Sequence, residues 1–285
     1  MRIIGWLLTV VALTLLQACS AIKLAYNNAP EFGYWWLDAY GDFNETQSPK
    51  VRAELARLLL WHRTEELPKI ADLLQKAQRL ATADTSPAPV CVLFADARQR
   101  FSAITVQAEV ATASLAMSLS PEQQTHIERK FAKNNADWRN DWLKLTPPER
   151  IDKRFKSNQE RSEEFYGKLE DRQLATLRSS LAASIYDTEV MHAERVRRQQ
   201  DLLQTLRQIS GRANVVEATS ALRAYVDRSL NSPNPAYRAY IEKVIAESCT
   251  QFAQLHNSTT PDQRTRAVRR LAAYERDARE LNGQR

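Results

Sequence analysis

The chain has 285 residues, 40 Lys and Arg against 34 Asp and Glu, and only six glycines, where the usual share near 7% would supply about twenty. Gly5, Gly33, Gly41, Gly167, Gly211 and Gly283 are too far apart for G-x-G-x-x-G, G-x-x-x-x-G-K-[ST] or G-x-S-x-G loops, which excludes dinucleotide, P-loop and nucleophile-elbow chemistry. The positive surplus of six is interleaved with acids, as on solvated helix faces, and argues little for a nucleic-acid partner.

The N-terminus reads as an address. Arg2 precedes an uncharged apolar run from Ile3 to Leu16, followed by Leu16-Gln17-Ala18-Cys19. The run would rise about 21 Å as a helix, short of a bilayer core near 30 Å, so residues 1–18 are expected to be a cleaved signal peptide and not a span. The Leu-x-Ala-Cys arrangement resembles the lipobox of bacterial lipoproteins. That resemblance implies acylation of Cys19, and two or more acyl chains hold a protein stably on a membrane. An uncleaved anchor extended to Ile22 would place Gln17 and Ser20 in or near lipid. Ser20, where Asp would imply inner-membrane retention in lipoproteins of enterobacterial type, favours the inner leaflet of the outer membrane, with the body facing the periplasm.

Residues 19–47 form a lipid-attached, aromatic-rich segment. Seven of the 23 aromatics fall between Tyr26 and Phe43: Tyr26, Phe32, Tyr34, Trp35, Trp36, Tyr40 and Phe43. Three readings are open: a short helix capping the end of the bundle with its rings in the core, which large aromatics usually favour; a membrane-interface segment; or the lining of a binding groove. Tyr34, Trp35, Trp36 and Tyr40, with Trp61, His62 and Arg63 further on, are the candidate binding or interface residues. The runs Tyr26-Asn27-Asn28-Ala29-Pro30, Tyr34-Trp35-Trp36-Leu37-Asp38, Trp61-His62-Arg63 and Glu66-Leu67-Pro68 resemble an uncharacterised family of proteobacterial lipoproteins. The resemblance implies no chemistry.

From residue 48 to 285 apolar residues recur at three- and four-residue steps, which predicts an all-α body, a bundle of eight or nine mostly antiparallel helices. Val51, Leu55, Leu58 and Leu59 open one stripe that continues through Ile70, Leu73, Leu74 and Ala77, with Pro68 expected to bend or break it. The clearest seam is Val90, Phe94, Ala97, Phe101, Ile104, Ala108, Ala111 and Leu115. Ile127, Phe131, Trp138, Trp142 and Leu145 make a third, and Leu174, Leu177, Leu181 and Ile185 a fourth, expected to run on to Leu202 and Leu206 and to end at Gly211. Later stripes run from Val215 to Val226, Tyr237 to Phe252, and Val268 to Leu271. Ser120-Pro121-Glu122-Gln123, Thr146-Pro147-Pro148-Glu149 and Thr260-Pro261-Asp262-Gln263 read as capping boxes with proline at N1, and Ser48-Pro49 as a further helix start.

Leu119-Ser120-Pro121-Glu122-Gln123 and Leu145-Thr146-Pro147-Pro148-Glu149 resemble the L-T-x-x-Q motifs of Spy-type periplasmic helical chaperones, although a capping box explains most of their positions. With Cys19 lipidated, Cys91 and Cys249 remain as a pair expected to form a disulfide in an oxidising compartment. The histidines His62, His126, His192 and His256 have no i,i+4 partner, no metal set is spaced in the sequence, and no activated nucleophile can be named, so no cofactor, metal or catalytic residue is expected. Two arginine concentrations, Arg195 with Arg197 and Arg198, and Arg264 with Arg266, Arg269 and Arg270, read as solvated faces or as contacts to anionic envelope polymers or lipid head groups. The leading expectation is a lipid-anchored periplasmic protein that binds an envelope partner as scaffold or assembly factor. A Spy-like holdase is second, and a hydrolase whose site the fold assembles around His62 or His192 is third.

Overall fold

The computed structural model describes residues 22–210 and 214–284. The expected signal peptide, the expected lipidation site Cys19, and Gly211 lie outside them. After a helical stretch at residues 22–27, twelve α-helices follow among the described residues, and no strand. They are α1 (Ala29–Gly41), α2 (Gln47–Trp61), α3 (Leu67–Leu80), α4 (Pro87–Gln107), α5 (Glu109–Met117), α6 (Pro121–Trp138), α7 (Pro147–Tyr166), α8 (Asp171–Ala182), α9 (Thr188–Ile209), α10 (Val215–Leu230), α11 (Pro235–Asn257) and α12 (Pro261–Gly283).

The count exceeds eight or nine because expected rods are divided. One rod is divided by Pro68. Proline cannot donate to the carbonyl four residues back and its ring crowds that turn. The chain responds with a π-turn at His62–Glu66, where the Leu67 N–H reaches back five residues to the His62 carbonyl. A second π-turn, Arg139–Leu143, closes α6. The seam from Val90 to Leu115 is also interrupted. Ala108 ends α4 and begins α5, Val90 is fully buried at one end, and Phe101 in the middle is 72% exposed. The two ends serve different neighbours, α4 packing on α11 and α5 on α10. Nor does the leucine stripe of α8 run on into α9. Residues 183–187 separate them, and the Asp187 carboxylate caps α9 by accepting from the Glu189 N–H at 2.7 Å and the Val190 N–H at 3.3 Å.

The buried apolar residues fall into separate clusters. The largest joins α5, α6, α9 and α10 through Ala113, Ala116, Ile127, Leu203, Leu206, Ile209, Ala218 and Leu222. A second joins α7, α8, α11 and α12 through Tyr166, Leu177, Leu181, Leu255 and Ala267. Smaller clusters pack α3 on α12, through Ala71 and Ala278, and α4 on α11, through Val90 and Ala253. There Cys91 and Cys249 stand at disulfide distance, with Cα atoms 5.4 Å apart. The bridge ties the first third of the chain to the last.

All three proline-bearing capping boxes form, and two of them do more than cap. The Gln123 side-chain N–H groups donate to Gln47 Oε1 at 2.7 Å and to the carbonyls of Gly41 and Asp42 at 2.8 and 2.9 Å. Gln47 in turn donates to Gln123 Oε1 and to the Ser118 carbonyl. The start of α2 therefore differs from the Ser48-Pro49 reading. Asn44 is the cap, accepting from the Thr46 and Gln47 N–H groups, while its own N–H donates to Gln47 Oε1. The same arrangement recurs between α8 and α12. Gln173 and Gln263 exchange side-chain bonds at 2.7 and 3.0 Å, Gln173 donates to the Ser258 carbonyl, and Gln263 donates to the Lys168 carbonyl. Each clasp joins two helix N-termini and the ends of the helices before them, satisfying groups that helix ends otherwise leave unpaired.

Candidate functional site

α1 begins at Ala29 and carries Pro30 in its first turn, where the missing N–H costs nothing. It ends at Gly41, where a Cβ would stand 2.2 Å from the Phe43 ring, and Asp42 takes a left-handed conformation. One face is fixed to the body. The Tyr34 ring lies beneath the Arg52 guanidinium, 3.6 Å from its centroid, and its hydroxyl donates to Ser48 Oγ at 2.9 Å. Tyr40 packs on Phe131 and its hydroxyl accepts from Asn134 Nδ2 at 2.8 Å.

Among the described residues nothing covers the opposite face. Ala25, Asn28, Ala29, Phe32, Trp35, Trp36 and Ala39 are all exposed, recur at helical spacing and carry no charge. Phe32, Trp35 and Trp36 are 52%, 58% and 63% exposed. The reading of this segment as a core cap is therefore corrected. The inward positions are taken by Tyr34, Tyr40 and Gly41, which leaves both tryptophans outside. Tyr34, 8% exposed, belongs to the core and not to a surface. Lys130 stands beside the exposed face with its Nζ 5.7 Å from the Tyr40 ring, which itself lies 5.2 Å from Trp36.

The other expected residues fall elsewhere. Trp61, His62 and Arg63 enter the first π-turn and meet the segment before α1 and the end of the chain. The Tyr26 hydroxyl and His62 Nδ1 are 2.9 Å apart, and Arg63 donates to Asn27 Oδ1 at 2.7 Å and to the Gln284 carbonyl. Burial holds His62 below the ordinary histidine range, against the opposing pull of the Glu66 carboxylate. Glu66, 1% exposed, is held by Lys69 at 2.7 Å and Arg100 at 3.2 Å. These are the bonds of a structural joint between α2, α3 and α4.

His192 stacks on Trp138 with ring centroids 6.5 Å apart. Burial and then the charges of Arg139 and Arg195 keep it below its usual range. Asn135 Oδ1, Trp138 Nε1, Thr188 Oγ1 and His192 Nδ1 are all buried without a hydrogen-bond partner along this α6–α9 seam. His192 itself is half-buried. The histidine in the core is His256, 2% exposed, whose Nδ1 lies 2.9 Å from the Tyr166 hydroxyl and whose Nε2 lies 2.9 Å from the Ala83 carbonyl. Burial pushes Tyr166 up to about 12.

A cleft of about 420 Å³ opens between the starts of α7 and α9 and the end of α8, lined by Arg150, Arg154, Ser184, Tyr186, Asp187 and Thr188 among others. Neither His62 nor His192 lines it. Arg154 stacks on Tyr186 and donates to Ser184 Oγ, and Ser184 bonds Glu247. Arg150 is spent on the carbonyls of Trp142, Leu143 and Leu145. Among the described residues no three His, Cys, Asp or Glu side chains gather as a metal set, and no helix is long and apolar enough to cross a membrane. The arginine concentrations are largely engaged within the chain. Arg197 and Arg198 bind Glu194, Arg264 binds Asp84, and Arg270 binds Glu164.

Residues 39–217 match a family of unknown function, DUF6279. The chain belongs to DUF6279. The match spans α2 to α9 entirely, including the first glutamine clasp, and begins at residue 39, so the expected lipobox and the exposed Phe32, Trp35 and Trp36 precede it. No curated protein and no solved structure matches the chain.

Proposed function

We propose that this DUF6279 protein is a lipid-anchored periplasmic protein that acts by binding, as a scaffold or assembly factor of the cell envelope, and not by catalysis. Cys19 carries the lipid, the inner leaflet of the outer membrane holds it, and the helical body from residue 48 faces the periplasm. The observation that carries this reading is the uncharged face of α1. It exposes Phe32, Trp35 and Trp36 within 17 positions of the expected lipid on Cys19, where a freely soluble protein would gain nothing from displaying them. The buried Glu66 and His256, by contrast, are engaged in bonds that hold helices together, and Glu194 is taken up by Arg197 and Arg198 of its own helix and by Ser232. The test has two steps. Palmitate labelling and membrane fractionation should show a labelled, membrane-bound protein, and Cys19→Ala should lose both. Crosslinking in intact cells, followed by affinity purification and mass spectrometry, should then enrich a defined envelope component. A correctly anchored protein that crosslinks to nothing reproducible would refute the scaffold role.

A second reading, a Spy-like holdase, is favoured by the exposed Val92, Phe101, Val106 and Val110 along α4 and α5, each more than 60% exposed. It predicts that the purified protein suppresses aggregation of unfolded clients at stoichiometric amounts. Absence of suppression with several clients would remove it.

A further inference from the structure

We propose that the exposed face of α1 lies in the head-group region of the bilayer that holds the protein, so that the membrane is the occupant of this surface. The inference rests on the lipid-anchor reading and adds a defined contact to it. Three observations select a bilayer. First, the α1 stripe from Ala29 to Ala39 is uncharged over about 15 Å of helix and carries Trp35 and Trp36, the residue type that settles at membrane–water interfaces with one edge apolar and the other wet. Second, Ile22 is three residues beyond Cys19, a covalent reach of only about 10 Å even when fully extended. A surface tethered so close meets the membrane at a high effective concentration, so even a weak intrinsic affinity is realised. Third, charge is placed at the rim and kept off the face. Lys130 stands over Tyr40 beside Trp36, within reach of lipid phosphates, and Glu31 is neutralised by Arg52. Tyr34 and Tyr40 fix the inward side of α1 to α2 and α6, so the tryptophans are presented by a rigid helix.

The test uses the full-length, processed protein, purified in detergent and reconstituted into phosphatidylcholine–phosphatidylglycerol vesicles, with or without brominated acyl chains. Two of the five tryptophans left after removal of residues 1–18 are Trp35 and Trp36. Bromolipid should quench part of the tryptophan emission, and Trp35→Phe with Trp36→Phe should abolish that quenching while flotation with the vesicles and the thermal melt stay unchanged. Protein that floats but shows no quenching, or equal quenching in the double variant, overturns the inference and leaves the anchor intact. A mass of two chains in detergent that reverts to one in the double variant, without bromolipid quenching, assigns the face to a second copy and overturns it too. Wild-type protein that does not float removes the anchor reading and the inference together.

Discussion

Gln123→Ala tests whether the glutamine clasps hold the fold. The wild-type side chain, 7% exposed, donates to Gly41, Asp42 and Gln47 and accepts from the Ser120 N–H at 2.9 Å. Each net bond contributes about 0.5–1.5 kcal/mol, and the buried Gln47 amide left behind adds a desolvation cost, so the loss should be about 3 kcal/mol. Gln123→Glu separates donation from acceptance. It keeps an oxygen for Ser120 but turns a carboxylate toward three acceptor oxygens, which raises its folded-state pKa above the unfolded value near 4.3. The added penalty therefore grows as pH rises through that unfolded value and is fully present at pH 7, and it fades toward pH 4 as the carboxyl protonates and regains one donor. Urea unfolding followed by far-ultraviolet circular dichroism should rank wild type above Gln123→Ala and Gln123→Ala above Gln123→Glu at pH 7, with the two variants converging at pH 4. A loss below about 1 kcal/mol for Gln123→Ala, or a gap between the variants that ignores pH, would refute the clasp as a stabilising device.

The Cys91–Cys249 bridge closes a loop of 158 positions, so Cys91→Ala with Cys249→Ala should lower stability by up to about 5 kcal/mol on the chain-entropy account, measured against the oxidised protein in urea. Asp187→Ala should cost about 1 kcal/mol through lost capping of α9, and Asp187→Asn should restore most of it. Burial holds His256 below its ordinary pKa, so the unfolded chain takes up the proton first. The associated stability is complete above about pH 6.5 and is lost as pH falls below it, and the urea midpoint should show a smaller drop between pH 7.5 and 5.5 in His256→Phe. Trp35→Ala with Trp36→Ala should change the unfolding free energy by no more than about 0.5 kcal/mol, because exposed side chains away from special features carry little stability. A collapsed melt would return both rings to the core.

The all-helical class was legible because Ser120, Thr146 and Thr260 announce their helices with local chemistry, and because apolar residues repeat at helical steps. Asn44 and Asp187 escaped notice for a physical reason. No proline follows them at N1, and around Asp187 the leucine pattern continues past the break, so periodicity hides the end of α8. The partners of Gln123 and Gln263 were beyond reach, since a side-chain bond across 76 or 90 positions leaves no local trace. In α1 aromatics occupy both faces, Tyr34 and Tyr40 inward and Phe32, Trp35 and Trp36 outward, so spacing alone cannot say which face the body covers. The cysteine pairing was legible from the count of cysteines and the expected compartment; its placement at the α4–α11 contact was not.

The π-turn at residues 62–66 and the break at Ala108 interrupt neighbouring rods. Glu66 meets Arg100, Asp96 meets Lys76, and Gln47 meets Ser118, so α2–α3 and α4–α5 run antiparallel. An extra residue in a helical turn rotates everything after it by about 100°. The π-turn thus sets α3 in a different phase from α2, so that α2 meets α1 in one phase and α3 meets α12 in another. Deleting one residue from the π-turn would restore regular helix, keep the rod and turn the α3 contacts away from α12.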